Sequence, residues 1–356
     1  MALSPVKDGT KCLVIGDTHY DNPYSGYLEA QLTKTKELIE SSKAKYVVFL
    51  GDIFHHRKPN PEVIVSVKRL FDRVSLTPGL SRIIILRGNH DSASKSDDGL
   101  TVLDVLDWPG SKVQIVSHTE LDEELNMLFI PHYENENTIH ESLAYAPNES
   151  TIVFGHFGYE GSINAAGFFD FSLNLDSFKN RTILGHIHKY TKNGNVTILG
   201  TPWATNFGEC DYPHYVGTLT YSNGKWTDMD ITPVEGGVRY YAAPFESLEV
   251  MRDEISDPSY FTILRVLLDK FSDESTNAVR SSIKEDFGVA YVDLKFQPVL
   301  DKKLSDRLSG YDSNVPLNNI DDDIIQQYIN EQTTSIPKED LENGLKLIRE
   351  YEDSSS

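Results

Sequence analysis

The chain has 356 residues, a formal net charge of −21 and a hydrophobic fraction of 39%. This composition suits a globular protein with one large domain and an appendage, and no apolar run is long enough to span a bilayer. The two cysteines, Cys12 and Cys210, exclude a disulfide framework and lead us to expect a reducing cytoplasm. The acidic charge argues against unaided binding to nucleic acid, because Lys and Arg normally neutralise the phosphates.

Short apolar runs that end in a glycine recur along the chain as far as residue 188. Helical spacing of apolar residues predicts helices at residues 28–42 and 63–74. Uniformly apolar strands separated by helices indicate an α/β fold with a buried, at least partly parallel sheet and helices on both of its faces. The strands are predicted at residues 11–15, 46–50, 83–86, 151–154 and 181–184.

The sequence pattern changes after residue 232. Strands are predicted at residues 260–268 and 289–296, on either side of a helix at 275–287, which makes a small α+β unit. A polar, linker-like segment at 300–316 precedes two short amphipathic helices at 321–330 and 338–351. We therefore divide the chain into three parts: a large domain at 1–232, an α+β domain at 233–310, and a linker with C-terminal helices at 311–356.

The polar residues that follow the five strands are of types that bind metal ions. In open α/β sheets, ligands gather at the carboxyl ends of the strands. Side chains two positions apart on an extended segment face the same side, so Asp17 and His19 can reach one ion. The set consists of Asp17, His19, Asp52, Asn89, His90, His156, His186 and His188.

Asp52 is our candidate to bridge two metal ions, because a carboxylate does this best. His186 and His188 can give one imidazole to each ion or flank the pair, while Asn89 and His156 add an oxygen and a nitrogen. Nitrogen and oxygen ligands without thiolate favour Mn²⁺, with Mg²⁺, Fe²⁺ and Zn²⁺ as alternatives. Two ions about 3.5–4 Å apart activate water and stabilise an in-line displacement, so the set predicts hydrolysis of a phosphoester.

His90 and His55 are the candidate catalytic residues. His90 follows a metal ligand directly and is placed to contact the scissile phosphate or to protonate the leaving oxygen. Asp91 can orient His90 or stabilise a turn. His55 lies three residues after Asp52, and we assign it a catalytic or phosphate-binding role.

Arg57 and Lys58 are candidate substrate-binding residues, since they form a local basic segment that could contact a phosphate backbone. Their alternative role is that of solvated loop residues. The remaining histidines follow no pattern, and we interpret them as structural; they include His118, His132, His140 and His214.

Several of these segments resemble a known family, the calcineurin-like metallophosphoesterases, which includes protein phosphatases, cyclic-nucleotide diesterases and nucleases. The pair Asp52 and His55 resembles the second motif of the SbcD/Mre-type recombination nucleases, where this histidine belongs to the active site. Residues 200–209 are similar to the segment that these nucleases carry after the last histidine pair. The segments that resemble the wider family are Gly16–His19, Gly51–His55, Gly88–Asp91, Gly155–His156 and Gly185–His188.

The resemblance implies a two-sheet metallophosphoesterase sandwich flanked by helices, with a small α+β capping domain and C-terminal helices. It also implies that His90 and His55 serve catalysis. One ion would be held by Asp17, His19, Asp52 and His188, and the other by Asp52, Asn89, His156 and His186.

The resemblance also implies partners and a location. Nucleases of this type act as homodimers beside an SbcC/Rad-type ABC ATPase, which the C-terminal helices at 321–351 would contact. They degrade duplex DNA ends with Mn²⁺ and nick single strands, in the cytoplasm of a bacterial cell or of a phage-infected host cell, with no membrane involved. The net charge of −21 is compatible with DNA if the metal ions and the ATPase supply the positive charge.

Two other functions stay open at the level of sequence. The first is another calcineurin-like phosphodiesterase or phosphatase, which would hydrolyse p-nitrophenyl esters and leave DNA intact. The second is a non-catalytic scaffold on the same fold. Such scaffolds usually lack several ligands, whereas here the set is complete.

Overall fold

The computed structural model describes residues 6–96, 98–107, 111–162, 173–268 and 276–296. The chain divides into two units, residues 1–297 and 298–356, and all described residues lie in the first unit. The linker predicted at 300–316 and the helices predicted at 321–330 and 338–351 therefore lie outside the described residues. No helix of the described part is long and apolar enough to cross a membrane.

Three β-sheets and a small number of helices make up the described part of the chain. The strands are β1 (Lys11–Ile15), β2 (Tyr46–Phe49), β3 (Arg82–Leu86), β4 (Val113–Val116), β5 (Glu120–Asp122), β6 (Met127–Ile130), β7 (Ile152–Gly155), β8 (Thr182–Leu184), β9 (Thr191–Asn193), β10 (Val196–Ile198), β11 (Tyr215–Ser222), β12 (Lys225–Trp226), β13 (Asp230–Pro233), β14 (Gly237–Pro244), β15 (Tyr260–Leu268) and β16 (Tyr291–Phe296). The helices are α1 (Tyr27–Ser42), α2 (Pro61–Val74), α3 (Glu136–Leu143), α4 (Arg252–Ile255) and α5 (Thr276–Phe287).

The first sheet has the strand order β12-β11-β1-β2-β3-β4, with β13 also paired to β11. Strands β1 to β4 are parallel, and β11 runs antiparallel to β1. One face of this sheet packs against α1 and α2, through Leu13, Val47 and Ile83. Because the opposite face is also covered, the strands are buried on both sides, which explains their continuous apolar sequences.

Helix α2 begins two residues before the predicted start because its N-terminus carries two capping signals. The side chain of Asn60 accepts a hydrogen bond from the backbone of Glu62, and Pro61 occupies the first helical turn, where its missing N–H costs nothing. The residues that α2 buries against the sheet recur every three or four positions: Val63, Val67, Leu70, Phe71 and Val74.

The second sheet has the order β5-β6-β7-β8-β10-β9 and packs face to face with the first. The core between the sheets includes Val48 and Ile84 from the first sheet and Phe129, Phe154 and Ile183 from the second. The structure is therefore an α/β two-sheet sandwich, as the resemblance implied.

The interpretation of one sheet with helices on both faces is wrong. The strands predicted at 151–154 and 181–184 belong to the second sheet, and the described helices that pack on the first sheet lie on one of its faces. Helix α3 packs on the outer face of the second sheet through Ile139. A continuous apolar run indicates that a strand is buried on both faces. It does not distinguish a face covered by a helix from a face covered by another sheet, because both give the same sequence pattern.

The third sheet, which we call the small sheet, consists of the parallel strands β14, β15 and β16. Strand β14 was not predicted from the sequence. Helix α5 packs on the small sheet through Ile283 and Phe287, while Tyr240 and Ile263 join the core that contains α1. The boundary at residues 232 and 233 stays a prediction, and residues 297–310 of the expected capping domain lie outside the described residues.

The core between the two large sheets should be sensitive to cavities. Phe154 is fully buried there and stacks on Phe129 with ring centroids 5.4 Å apart. Replacing Phe154 with Ala should lower the free energy of unfolding by about 3–5 kcal/mol, because buried contacts are lost and a cavity remains. Urea denaturation measures the change. Tyr145→Ala is the control, since Tyr145 is 63% exposed, and an equal loss in both variants would contradict this description of the core.

Candidate metal centre

The carboxyl ends of the strands in the two large sheets meet at one edge of the sandwich, and the polar residues that follow them converge there. The backbone N–H of His186, after β8, donates a hydrogen bond of 2.6 Å to Asp17, after β1. The backbone N–H of His90, after β3, donates a hydrogen bond of 2.8 Å to Asp52, after β2. The structure thus brings together residues that are far apart in the sequence.

One group of ligands consists of Asp17, His19 and His188, whose ligand atoms all lie within 4.8 Å of one another. The Nε2 atoms of His19 and His188 face each other at 3.0 Å. The Nδ1 atom of His188 is held by Glu209 at 2.6 Å, so a proton on Nδ1 leaves the lone pair of Nε2 directed into the group.

A second group consists of Asp52, His156 and His186. The side-chain oxygen of Asn89 lies 3.1 Å from Nε2 of His156 and 2.9 Å from Nδ1 of His186, so Asn89 joins the same group. Nδ1 of His156 donates a hydrogen bond of 2.8 Å to the backbone carbonyl of Leu50, which directs its Nε2 towards Asp52.

Asp52 lies between the two groups. Its Oδ2 atom is 3.7 Å from Nε2 of His19 in the first group and 3.3 Å from Nε2 of His156 in the second. The residue is 2% exposed. A carboxylate at this position can reach a cation in either group, so Asp52 stays our candidate to bridge two ions.

Three of these residues have a left-handed backbone conformation that is uncommon for non-glycine residues. The φ angles are 45° for His19, 44° for Asp52 and 77° for His186. Such a conformation is unfavourable and persists only where the surrounding structure holds it. A hydrogen bond of 2.9 Å from the backbone of His19 to the carbonyl of Asp52 is one of the contacts that do so. The strain is therefore concentrated in residues of the candidate site.

The glycines that precede the ligands leave room for the two carboxylates. A Cβ atom on Gly88 would lie 2.1 Å from Oδ1 of Asp52, and one on Gly185 would lie 2.4 Å from Oδ1 of Asp17. No side chain fits at these distances, so both positions require glycine. This explains why a glycine precedes the ligand after each of these two strands.

Burial and mutual charge perturb the acids and bases of the site. Burial raises the pKa of Asp17 to about 7, although the nearby His156 acts to lower it. Burial also acts to raise the pKa of Asp52, but the charge and hydrogen bond of His156 outweigh it and hold the pKa well below the ordinary value. Burial opposes protonation of His156, yet the charges of Asp52 and Asp17 raise its pKa to about 9. Burial and the charge of His156 lower the pKa of His186 to about 3.

The ligand atoms fit divalent cations. Oδ1 of Asp17 is buried and has no hydrogen-bond partner among the described residues. The two facing Nε2 atoms of His19 and His188 cannot both present lone pairs to each other without a positive charge between them. A cation in each group satisfies these atoms, and oxygen and imidazole donors without sulfur are the ligand types of Mn²⁺, Fe²⁺ and Zn²⁺.

His90 and His55 lie beside the first group of ligands. The ring of His19 is 5.0 Å from that of His90 and 5.4 Å from that of His55, between centroids. Nδ1 of His90 donates a hydrogen bond to the backbone carbonyl of His55, which fixes the orientation of the His90 ring. Neither imidazole belongs to the two groups of ligands described above, and both residues are partly exposed.

Asp91 stabilises the turns beneath the site and does not orient His90 through its side chain. Its carboxylate accepts hydrogen bonds from the backbone N–H groups of Ile53, Phe54 and Gly88, at 3.0 to 3.2 Å. Burial and the repulsion of Asp52 raise the pKa of Asp91 to about 7. Of the two roles open from the sequence, the turn is the one for which the structure shows contacts.

Arg57 and Lys58 are not drawn into the ligand groups. The guanidinium of Arg57 lies 3.5 Å from the carboxylate of Glu134, and Lys58 is exposed. Among the described contacts, neither residue reaches a metal ligand. A role for them in substrate binding stays a prediction.

Two residues near the ligands were missed by the sequence analysis. Glu209 is fully buried and holds His188, but it lies 21 positions further along the chain, at no spacing that marks it. His132 was interpreted as structural, yet its ring centroid lies 5.9 Å from that of His186 and 6.1 Å from that of His156. The only sequence signal for Glu209 was its place at the end of the segment 200–209.

Comparisons with known proteins found one family model and similar solved structures. The model of the calcineurin-like phosphoesterase family matches residues 10–190, the segment that carries the ligands from Asp17 to His188. Among solved structures, a dimetal phosphatase from Danio rerio is similar over 64% of this chain and 99% of that chain, with 12% sequence identity and a TM-score of 0.39. A search of curated proteins found no match.

Removing the carboxylate charge of Asp52 should affect both groups of ligands. We expect Asp52→Asn to bind fewer than two Mn²⁺ ions per chain under conditions where the unaltered protein binds two, because one oxygen anion serves both positions. Metal content after equilibrium dialysis measures this. Asp72→Asn is the matched control, since Asp72 pairs with Lys68 at the surface. Full binding of both ions by Asp52→Asn would contradict the bridging assignment.

Proposed function

Because the chain belongs to the calcineurin-like phosphoesterase family, we propose that it is the two-metal-dependent DNA nuclease subunit of an SbcCD-type recombination and double-strand-break repair complex. Family membership by itself implies a metal-dependent hydrolase. The family binds two divalent metal ions, and the two groups of ligands described above are the candidates to hold them. DNA as the substrate is a narrower proposal than family membership, and it rests on His55 and on the segment 200–209.

The position of His55 is the observation that carries the proposal. Its ring lies beside the metal ligand His19, and its backbone carbonyl holds the ring of His90. A second histidine outside the ligand set, three residues after the bridging Asp52, is the feature in which this site resembles the SbcD/Mre-type nucleases. The segment 200–209, also similar to those nucleases, supplies Glu209 to the ligand His188.

The chemistry follows from the positions of the side chains. Two bound divalent ions would supply an activated water and stabilise the charge on the phosphate. Since Nδ1 of His90 donates to the carbonyl of His55, Nε2 of His90 is the atom that can hold a proton for the leaving oxygen. His55 would bind a phosphate oxygen of the substrate. Asp91 accepts hydrogen bonds from the backbone N–H groups of Ile53, Phe54 and Gly88, and so holds together the turns that carry Asp52 and His90.

The metal and the partners belong to the same proposal. The mixed imidazole and oxygen donors support Mn²⁺ as the working metal, with Mg²⁺, Fe²⁺ or Zn²⁺ as alternatives. We propose that the protein acts as a homodimer with an SbcC/Rad-type ATPase bound to its C-terminal helices, within the cytoplasm. The support for this contact is the amphipathic pattern at residues 321–330 and 338–351, which lie outside the described residues.

A nuclease assay with Mn²⁺ tests the proposal, on end-labelled duplex DNA and on single-stranded DNA, with and without a co-expressed ATPase subunit. We expect the unaltered protein to cleave DNA and His90→Ala to reduce kcat by about 10²–10⁴-fold, the usual contribution of a general acid. His90→Ala should still bind two ions, because His90 is not a ligand. His55→Ala should also lower the rate.

The matched control is His140→Ala, because His140 is exposed on α3, away from the ligands. Cleavage of DNA by this variant should equal that of the unaltered protein. Hydrolysis of p-nitrophenyl esters with no cleavage of either form of DNA would overturn the nuclease assignment and favour a phosphatase. No hydrolysis of any phosphoester by a protein loaded with two ions would favour a scaffold.

A further inference from the structure

Glu209 is a fully buried carboxylate next to the metal ligands, and the chemistry above gives it no direct part. Its Oε1 atom accepts a hydrogen bond of 2.6 Å from Nδ1 of His188. A buried carboxylate is costly unless it is paired and hydrogen-bonded. The contact to His188 is therefore a strong and specific one, as hydrogen bonds to ionised groups are.

The carboxylate of Glu209 is itself held rigidly. It accepts hydrogen bonds from the backbone N–H and the hydroxyl of Thr205, at 2.8 and 2.9 Å, and from the side-chain amide of Asn206, at 2.8 Å. With these donors in place, Glu209 cannot turn away from His188 without losing several partners. The direction of the His188 ring is fixed from outside the ligand group.

This support is specific to one group of ligands. In the second group, Nδ1 of His156 donates to a neutral backbone carbonyl, that of Leu50. Glu209 holds His188, which belongs to the first group. A carboxylate that accepts a hydrogen bond from a ligating histidine fixes the tautomer of that histidine and raises its basicity. The two metal positions should therefore differ in how strongly they depend on Glu209.

The turn that carries Glu209 is also attached to the small sheet. Residues 207–209 form one 3₁₀ turn. The ring of Phe207 packs edge-on against Tyr240 of β14, with centroids 4.9 Å apart, and the guanidinium of Arg265 of β15 lies 3.8 Å from the centroid of the Phe207 ring. Arg265 is held in turn by Asp293 of β16, at 2.7 Å. A continuous series of contacts thus leads from the small sheet to His188.

We propose that Glu209 is a positioning residue that sets the affinity of the metal ion in the first group, and that the small sheet influences this affinity through the turn at 207–209. The inference rests on the two-metal site of the proposed function but not on DNA as its substrate. It makes occupancy of one metal position dependent on a part of the chain that contributes no ligand.

Titration of the metal-free protein with Mn²⁺, followed by calorimetry and by electron paramagnetic resonance, tests the role of Glu209. We expect Glu209→Gln to weaken the binding of one of the two ions by about 10–100-fold, the usual effect of losing such an outer contact, and to leave the other ion unchanged. Hydrolysis by the variant should recover at saturating Mn²⁺, because no reacting group is lost. Glu246→Gln, an exposed position just after β14 of the small sheet, is the matched control.

Unchanged binding of both ions by Glu209→Gln, or an equal loss of both, would overturn the assignment. If this variant does not fold, Thr205→Val removes one donor to Oε1 of Glu209 and should weaken the same ion by a smaller factor; unchanged binding in Thr205→Val would then overturn it. If the unaltered protein binds no Mn²⁺, the two-metal site itself has failed. If it binds two ions but leaves DNA intact, only the proposed substrate has failed.

Arg265→Ala tests the influence of the small sheet. We expect it to weaken the binding of the ion in the first group by up to about threefold, the fold-change that corresponds to losing a weak cation–π contact. The matched control is Arg252→Ala, because Arg252 of α4 makes a similar contact over the ring of Phe287 of α5, at 4.2 Å from its centroid. Equal Mn²⁺ affinities for the two variants would rule out the coupling while leaving the role of Glu209 intact.

Discussion

The carboxylate of Asp52 lies buried between two groups of histidines, and the rest of the site is arranged around it. Buried anions require positive charge nearby, and the described neighbours of Asp52 supply imidazoles from both large sheets. A second buried carboxylate, Asp17, raises the same requirement, and its pKa of about 7 reflects the cost of burying its charge. Two divalent cations would satisfy both acids at once, so metal binding would also stabilise the packing of the two sheets against each other.

The fold meets this requirement with backbone conformations that are unfavourable on their own. Left-handed φ angles occur at three candidate ligands, His19, Asp52 and His186, and Gly88 and Gly185 leave space for the opposing carboxylates. The surrounding strands are fully buried between helices and the second sheet, so they can hold these strained ends in place. Rigidity is useful here, because ligands that are already positioned lose little entropy when the ions bind.

The sequence predicted the local features well, because their signals are local. The apolar strands that precede Asp17, Asp52 and Asn89 lie where they were expected, and the candidate ligands meet at one edge. The division of the strands between two sheets could not be read from the residues themselves, since burial under a helix and under a sheet leaves the same apolar pattern. Glu209 and His132 were missed because their proximity to the ligands depends on tertiary packing, which no spacing in the sequence records.

Anomalous diffraction from crystals of the protein grown with Mn²⁺ tests the central claim most directly. We expect two peaks about 3.5–4 Å apart, with oxygen atoms of Asp52 coordinating both. One peak should lie against His19 and His188, and the other against Asn89, His156 and His186. A single peak, or two peaks that share no ligand, would contradict a bridging Asp52 and the two-metal site built around it.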